Sequence, residues 1–209
     1  MATIKGTKNK DKLNGTNNDD TIIGKAGNDK LFGKDGNDLL KGGGGNDKLF
    51  GGFDNDTILG GTGNDKMFGE DGDDELIGGG GKDKAIGGAG DDIIDTGEDN
   101  DKLDGGSGVN DLTGGFGADK FYFLEVSRTT VQDAKLSEGD KLYISKDFLG
   151  LNPNDDSQIT TLEDFITYRA SASDNDVHID LSLGAGDDDK QIILKNVDIN
   201  DLAGLIILV

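Results

Sequence analysis

Aspartate recurs at every ninth residue through the first part of this chain. The series is Asp11, Asp20, Asp29, Asp38, Asp47, Asp56, Asp65, Asp74, Asp83, Asp92, Asp101 and Asp119, with Asn110 filling the one gap. Carboxylates are hard oxygen donors, so a fixed repeat of them suits either acid/base chemistry or a row of hard cations. Acid/base catalysis needs a few groups converging on one concave site, whereas these are spread evenly along the chain. The neighbours Asp91 and Asp92 imitate an acid/base couple, but such pairs recur with the repeat and already have a ligand role. The many glycines imitate a phosphate-binding fingerprint, but no amphipathic helix follows them. A row of cations is the chemistry that fits.

The elements that position these aspartates are nonapeptides, thirteen in succession from residue 6 to residue 122. The first position is Gly in every unit except the eleventh, which has Thr96. The fourth is Gly, Asn or Asp, residues that tolerate positive φ, so a left-handed turn is expected there. The sixth carries the aspartate. The eighth is always apolar: Leu13, Ile22, Leu31, Leu40, Leu49, Ile58, Met67, Leu76, Ala85, Ile94, Leu103, Leu112 and Phe121. Each unit therefore reads as a turn plus a three-residue strand with one inward side chain. Such a strand buries little alone, so units must stack on alternate sides of a flattened solenoid, two per coil of 18 residues. Residues i and i+18 then lie about 4.8 Å apart, and the aspartates form a column down each edge.

Bare columns of this kind repel. A divalent cation between successive turns on one edge reverses the sign, taking two aspartates and backbone carbonyls. Calcium suits such a site better than magnesium, because it accepts six to eight oxygens in irregular geometry. Thirteen units leave eleven same-edge pairs, so at most eleven ions are expected. Full loading brings the net charge of −21 close to neutrality. The rest of the composition agrees. With 33% hydrophobic residues and that charge, the chain cannot rely on a thick apolar core, and no cysteine is present for disulfides or thiolate sites. The acidic balance disfavours nucleic acid, and no apolar run is long enough to span a bilayer.

The units GGTGNDKMF (residues 60–68) and GGAGDDIID (residues 87–95) resemble the RTX (repeats-in-toxin, hemolysin-type) calcium-binding nonapeptide. The join GGFGADKFYF and the following VQDAKLSEGDKLYIS are similar to the region after the β-roll in serralysin-type proteases and in mannuronan C5-epimerase R-modules. The resemblance implies a secreted protein. It would be exported by type I secretion machinery through an uncleaved C-terminal signal and would fold on meeting extracellular calcium. It also accounts for an N-terminus, MATIKGTKNK, that lacks an apolar signal region.

The reading is an all-β protein: a parallel β-roll, that is, a right-handed β-solenoid of 18 residues per coil, with a small β-rich C-terminal segment. Residues 1–122 form the roll, with residues 1–23 as a capping coil whose sites are weaker because Thr and Asn replace Gly in its turns. Residues 123–209 cap the other end. The best sites are expected from Asp29 to Asp92 and the weakest of the later ones at Asn110. After Tyr122 the period ends, and with it the solenoid. The C-terminal segment is read as a strand at 141–145, a short helix from Thr160 with Glu163 in a capping box, and a hairpin between VHIDLSL and KQIILKNV. His178, the only histidine, reads as a packing or surface residue of that hairpin.

No catalytic constellation emerges, so the chain is read as a calcium-binding module and not an enzyme. A second pattern has period 18. Position seven of every odd unit is lysine, including Lys30, Lys48, Lys66, Lys84 and Lys102, and position nine of three odd units is Phe32, Phe50 and Phe68. One face should therefore show a lysine column beside a phenylalanine column. The lysines would either blunt the sheet face while the phenylalanines pack on the C-terminal segment, or form a track for an acidic polysaccharide. The alternatives are an accessory module of a secreted enzyme such as an alginate epimerase, a surface-layer solenoid, or an ice-binding solenoid. Ice binding needs a regular Thr or Asn ladder. Position three offers none, whereas position five repeats Asn28, Asn37, Asn46, Asn55 and Asn64.

Overall fold

The computed structural model describes residues 1–124, 128–134, 138–145, 170–173, 176–180, 191–195 and 205–208. Two parallel sheets face each other across a thin core. One begins with Thr3–Lys5 and takes the even units: Thr21–Ala26, Leu39–Gly44, Thr57–Thr62, Glu75–Gly80, Ile93–Glu98 and Val109–Thr113. The other takes the odd units: Lys12–Asn14, Lys30–Asp35, Lys48–Phe53, Lys66–Asp71, Lys84–Ala89, Lys102–Ser107 and Lys120–Phe123. The register is the one the period requires, residue i beside residue i+18, as in Leu40 beside Ile58 and Lys48 beside Lys66. The fold is thus an all-β parallel solenoid with 18 residues per coil.

The core is the eighth-position column. From Ile22 to Phe121 every one of these side chains is fully buried, and Leu13 packs against them from the open end. Two facing files of side chains, one from each sheet, are a small core for a chain this size, so the edges must contribute to stability.

Three expectations need correction. The strands are mostly six residues long and not three, because each continues through positions one to three of the next unit. In Thr21–Ala26 both Ile22 and Gly24 point inward. Position one therefore lies within a strand, not a turn. Positive φ occurs at position four as expected, for instance at Gly45 and Asp54, but not at Asn9 or Asn18, and it recurs at position two, where Lys25, Lys34 and Glu70 adopt it.

The third correction concerns residue 122. The nonapeptide period stops there, yet both sheets run on. Arg128–Val131 continues the even-unit sheet beside Val109–Thr113, and Lys141–Ile144 continues the odd-unit sheet beside Lys120–Phe123. Gln191–Leu194 and Ile206–Leu208 add one more parallel strand to each sheet. Here the core thickens, with Phe123, Val131, Leu142, Ile144, Ile192 and Leu194 all buried. The expected hairpin is present: Asp176–Asp180 pairs antiparallel with Gln191–Leu194, and Ala170–Ser173 adds a further strand. Backbone placement puts His178 beside Ile193. The expected helix at Thr160 lies outside the described residues.

Candidate metal centre

Each position-six aspartate, except the half-exposed Asp11, is folded into the edge of the roll between successive coils. Asp29, Asp47, Asp65, Asp92, Asp101 and Asp119 are 1% exposed. Oδ1 is held by the preceding coil. The backbone N–H of Asp29 donates to Oδ1 of Asp47 at 2.6 Å, that of Asp47 to Asp65 at 2.7 Å and that of Asp65 to Asp83 at 2.8 Å. The other edge repeats this from Asp38 to Asp56 at 2.8 Å and from Asp74 to Asp92 at 3.0 Å. Both columns are therefore continuous chains of backbone-to-carboxylate bonds, one link per coil.

The second oxygen is different. Oδ2 of Asp29, Asp38, Asp47, Asp56, Asp65, Asp74, Asp83, Asp92, Asp101 and Asp119 is buried without a hydrogen-bond partner. An unpaired buried carboxylate oxygen is costly, and its regular recurrence points to a missing positive charge. Burial is the main reason that the carboxyls of Asp38, Asp65, Asp74 and Asp119 are pushed up to about 6, and those of Asp56, Asp83, Asp92 and Asp101 to about 7. Neighbouring aspartates raise them further.

Glycine leaves room at these oxygens. A Cβ built on Gly60 would lie 2.7 Å from Asp65 Oδ2 and 2.8 Å from the carbonyl oxygen of Gly78, and one on Gly42 would meet Asp47 Oδ2 at 2.5 Å. Position one is thus glycine because the carboxylate and a carbonyl from the next coil converge there. Glycines at positions two and four likewise stand over carbonyl oxygens of the preceding coil, such as Gly27 O at Gly45 and Gly43 O at Gly61. Among the described residues no three His, Cys, Asp or Glu side chains converge. A cation between turns would therefore draw on two carboxylates at most and on carbonyls for the rest. That oxygen-only donor set suits calcium.

The first two units differ from the later ones in the partners of their carboxylates. Thr7 donates its backbone N–H and its hydroxyl to Asp11 Oδ2 at 2.6 and 2.9 Å, and Thr16 does the same to Asp20 Oδ2 at 2.7 and 2.8 Å. These carboxylates are already satisfied. The Asp20 carboxyl is correspondingly held below its ordinary value, chiefly by the Thr16 hydroxyl. Asn110 keeps the ladder by accepting from Asp92 N–H at 2.9 Å, but its amide donates to Gly106 O at 3.2 Å, where the other units have a bare oxygen. Thr96 fits without Gly's space because its hydroxyl turns to Gly114 O at 3.1 Å.

Two further columns run beside the aspartates. Position-five Asn side chains accept from the next coil's backbone: Asn28 from Asn46 N–H at 2.8 Å, Asn46 from Asn64 at 2.8 Å and Asn37 from Asn55 at 2.9 Å. The repeated asparagines are thus exposed struts that tie each coil to the next. On the outer face of the odd-unit sheet Lys30, Lys48, Lys66, Lys84 and Lys102 stand in register and exposed. Beside them Phe32, Phe50 and Phe68 stack with centroids 5.0 and 4.9 Å apart and rings 6° from parallel. Lys12 Nζ also lies over the Phe32 ring, 5.3 Å from its centroid.

Sequence reasoning missed Asp140, which is 2% exposed and accepts from Asp119 N–H at 2.9 Å. The signal was present. Asp-Lys-Leu opens most odd-unit strands and reappears as Asp140, Lys141 and Leu142, after a step of 21 residues in place of 18.

Stacked turns that each present one half-satisfied carboxylate to the next coil define a repeat solenoid built around hard cations. The chain belongs to the RTX calcium-binding nonapeptide repeat family, whose model matches residues 3–31, 14–49, 23–58, 50–85 and 86–121. Calcium binding is the shared property of that repeat. Among solved structures, the chain is similar to a subunit of the mannuronan C5-epimerase of Azotobacter vinelandii, at 24% identity over 78% of each chain with a TM-score of 0.32. It is also similar to the extracellular lipase LipA of Serratia marcescens, at 19% identity and a TM-score of 0.28, covering 93% of this chain and 39% of the lipase. No curated protein matches the chain.

Proposed function

We propose that this chain is a non-catalytic module that folds by binding calcium between successive same-edge turns, and that it does so outside the cell after type I export. The ligands are the position-six aspartates of neighbouring coils together with glycine-turn carbonyls. The observation that carries this reading is the set of ten buried carboxylate oxygens, among the described residues, that have no hydrogen-bond partner. In a cytosol poor in calcium these groups would keep residues 1–122 unfolded, and extracellular calcium would order them. Residues 123–209 would cap the roll by continuing its sheets. Affinities on the order of 10⁻⁴ to 10⁻³ M are expected for such a module. The test is a calcium titration followed by circular dichroism, with both the titration and the chelator control held at neutral pH. The wild-type chain should gain its β spectrum only with calcium, and Asp65→Ala should need clearly more calcium. A full β spectrum in chelator sinks the proposal.

The in-register lysines favour a second reading in which the exposed face binds an acidic polysaccharide. Successive ammonium groups about 4.8 Å apart make a linear cationic track whose attraction is screened by salt. Lys48→Glu, Lys66→Glu and Lys84→Glu combined should abolish binding in low salt. Equal affinity of this variant and the wild type refutes the track.

A further inference from the structure

We propose that Asp119 and Asp140 form an additional divalent-cation site, beyond the last recognisable nonapeptide, that fastens the C-terminal segment to the roll. This rests on the reading of the aspartate columns given above and extends it to a residue outside the repeat.

Within the roll, two backbone hydrogen bonds define a same-edge pair. For Asp101 and Asp119, Asp101 N–H donates to Asp119 Oδ1 at 2.8 Å and Lys120 N–H donates to Asp101 O at 3.0 Å. Both bonds recur one coil further on. Asp119 N–H donates to Asp140 Oδ1 at 2.9 Å and Lys141 N–H donates to Asp119 O at 2.8 Å. Asp140 thus occupies the next place in the odd-edge column although 21 residues, not 18, separate it from Asp119. The strands that follow stay in register, with Tyr122 stacked on Tyr143 at 4.8 Å.

An independent observation points to a ligand. Asp119 is 1% exposed and its Oδ2 has no hydrogen-bond partner, as in the units where both neighbours are nonapeptides. The turn before Asp140 is also acidic. Glu138 lies close enough to affect the Asp119 carboxyl, and Gly139 supplies positive φ. The two edges then end differently. On the even edge Asn110 is followed by Thr129 in register, so no carboxylate continues that column. Among the described residues, the odd-edge aspartate column is the one that continues into the C-terminal segment.

The test uses the full chain and calcium alone, with ions per chain counted by native mass spectrometry and the folding midpoint followed by circular dichroism. Asp140→Asn preserves the acceptor for Asp119 N–H, an arrangement Asn110 already tolerates. Asp140→Glu preserves the charge one methylene away. Asp65→Asn tests the roll itself. A cation site requires the midpoint to rise in the order wild type, Asp140→Glu, Asp140→Asn, with one ion fewer in Asp140→Asn and affinity at that position at least about tenfold weaker. Complete failure of Asp140→Asn to fold where Asp140→Glu folds supports the site equally. If Asp140→Asn matches the wild type, or both variants fail alike, a hydrogen-bonding or packing role replaces the site and the inference falls. If Asp65→Asn also leaves the ion count and midpoint unchanged, the fault lies in the reading of the whole column.

Discussion

Protons should partly replace calcium in this protein. The eight carboxyls lifted to about 6 or 7 start from an ordinary value of 3.8. A rise of one pH unit in a carboxyl's midpoint corresponds to about 1.4 kcal/mol between its two protonation states. Halved for solvent screening, ionising all eight in the folded, calcium-free roll costs on the order of 15 kcal/mol, which matches the entire stability of an ordinary domain. The calcium-free roll should therefore not persist at neutral pH. Because burial raises the folded values, the folded roll holds more protons than the unfolded chain between about pH 4 and pH 7. Its stability consequently falls as pH rises through that window and returns as pH drops. Circular dichroism of the chelated chain should show β structure emerging between about pH 7.5 and pH 5. In the same range the calcium midpoint should rise as pH falls, because protons and calcium compete for the same oxygens. A chelated chain whose β signal is unchanged or weaker at pH 5 would refute the reasoning.

Gly60→Ala places a methyl group against Asp65 Oδ2 and Gly78 O; at about 1–3 kcal/mol for overpacking it should raise the calcium midpoint several-fold in a titration. Thr16→Val removes one of two donors to Asp20 Oδ2, so NMR titration should find the Asp20 carboxyl raised and denaturant melts should show a loss of stability. Asn110→Asp replaces the amide that bonds Gly106 O with a second charged oxygen; calorimetry should find the calcium midpoint lowered or unchanged, and weaker binding contradicts the scheme.

The eighth-position hydrophobics and the sixth-position aspartates were legible because one strict period carries both, and the structure places the first in the core and the second between coils. Strand length was not legible. Gly at position one reads as a turn residue, whereas the structure uses its missing side chain to bring Asp Oδ2 and a carbonyl together inside a strand. Positive φ at position two was hidden because Lys25, Lys34 and Glu70 occupy it despite their side chains. The position-five asparagines suggested an outward-facing ladder, but a backbone donor one coil away uses their oxygens. The continuation past Tyr122 was obscured by a change of step, and Asp140 kept its local triplet while losing the period that would have revealed it.

That calcium sits between consecutive carboxylates along both edges is tested most directly by anomalous diffraction from crystals of the calcium-loaded chain. Rows of calcium peaks about 4.8 Å apart are expected, between Asp29, Asp47, Asp65, Asp83, Asp101 and Asp119 on one edge and between Asp38, Asp56, Asp74 and Asp92 on the other. Buried Oδ2 atoms with no peak beside them, or calcium confined to surface carboxylates away from these columns, would contradict it.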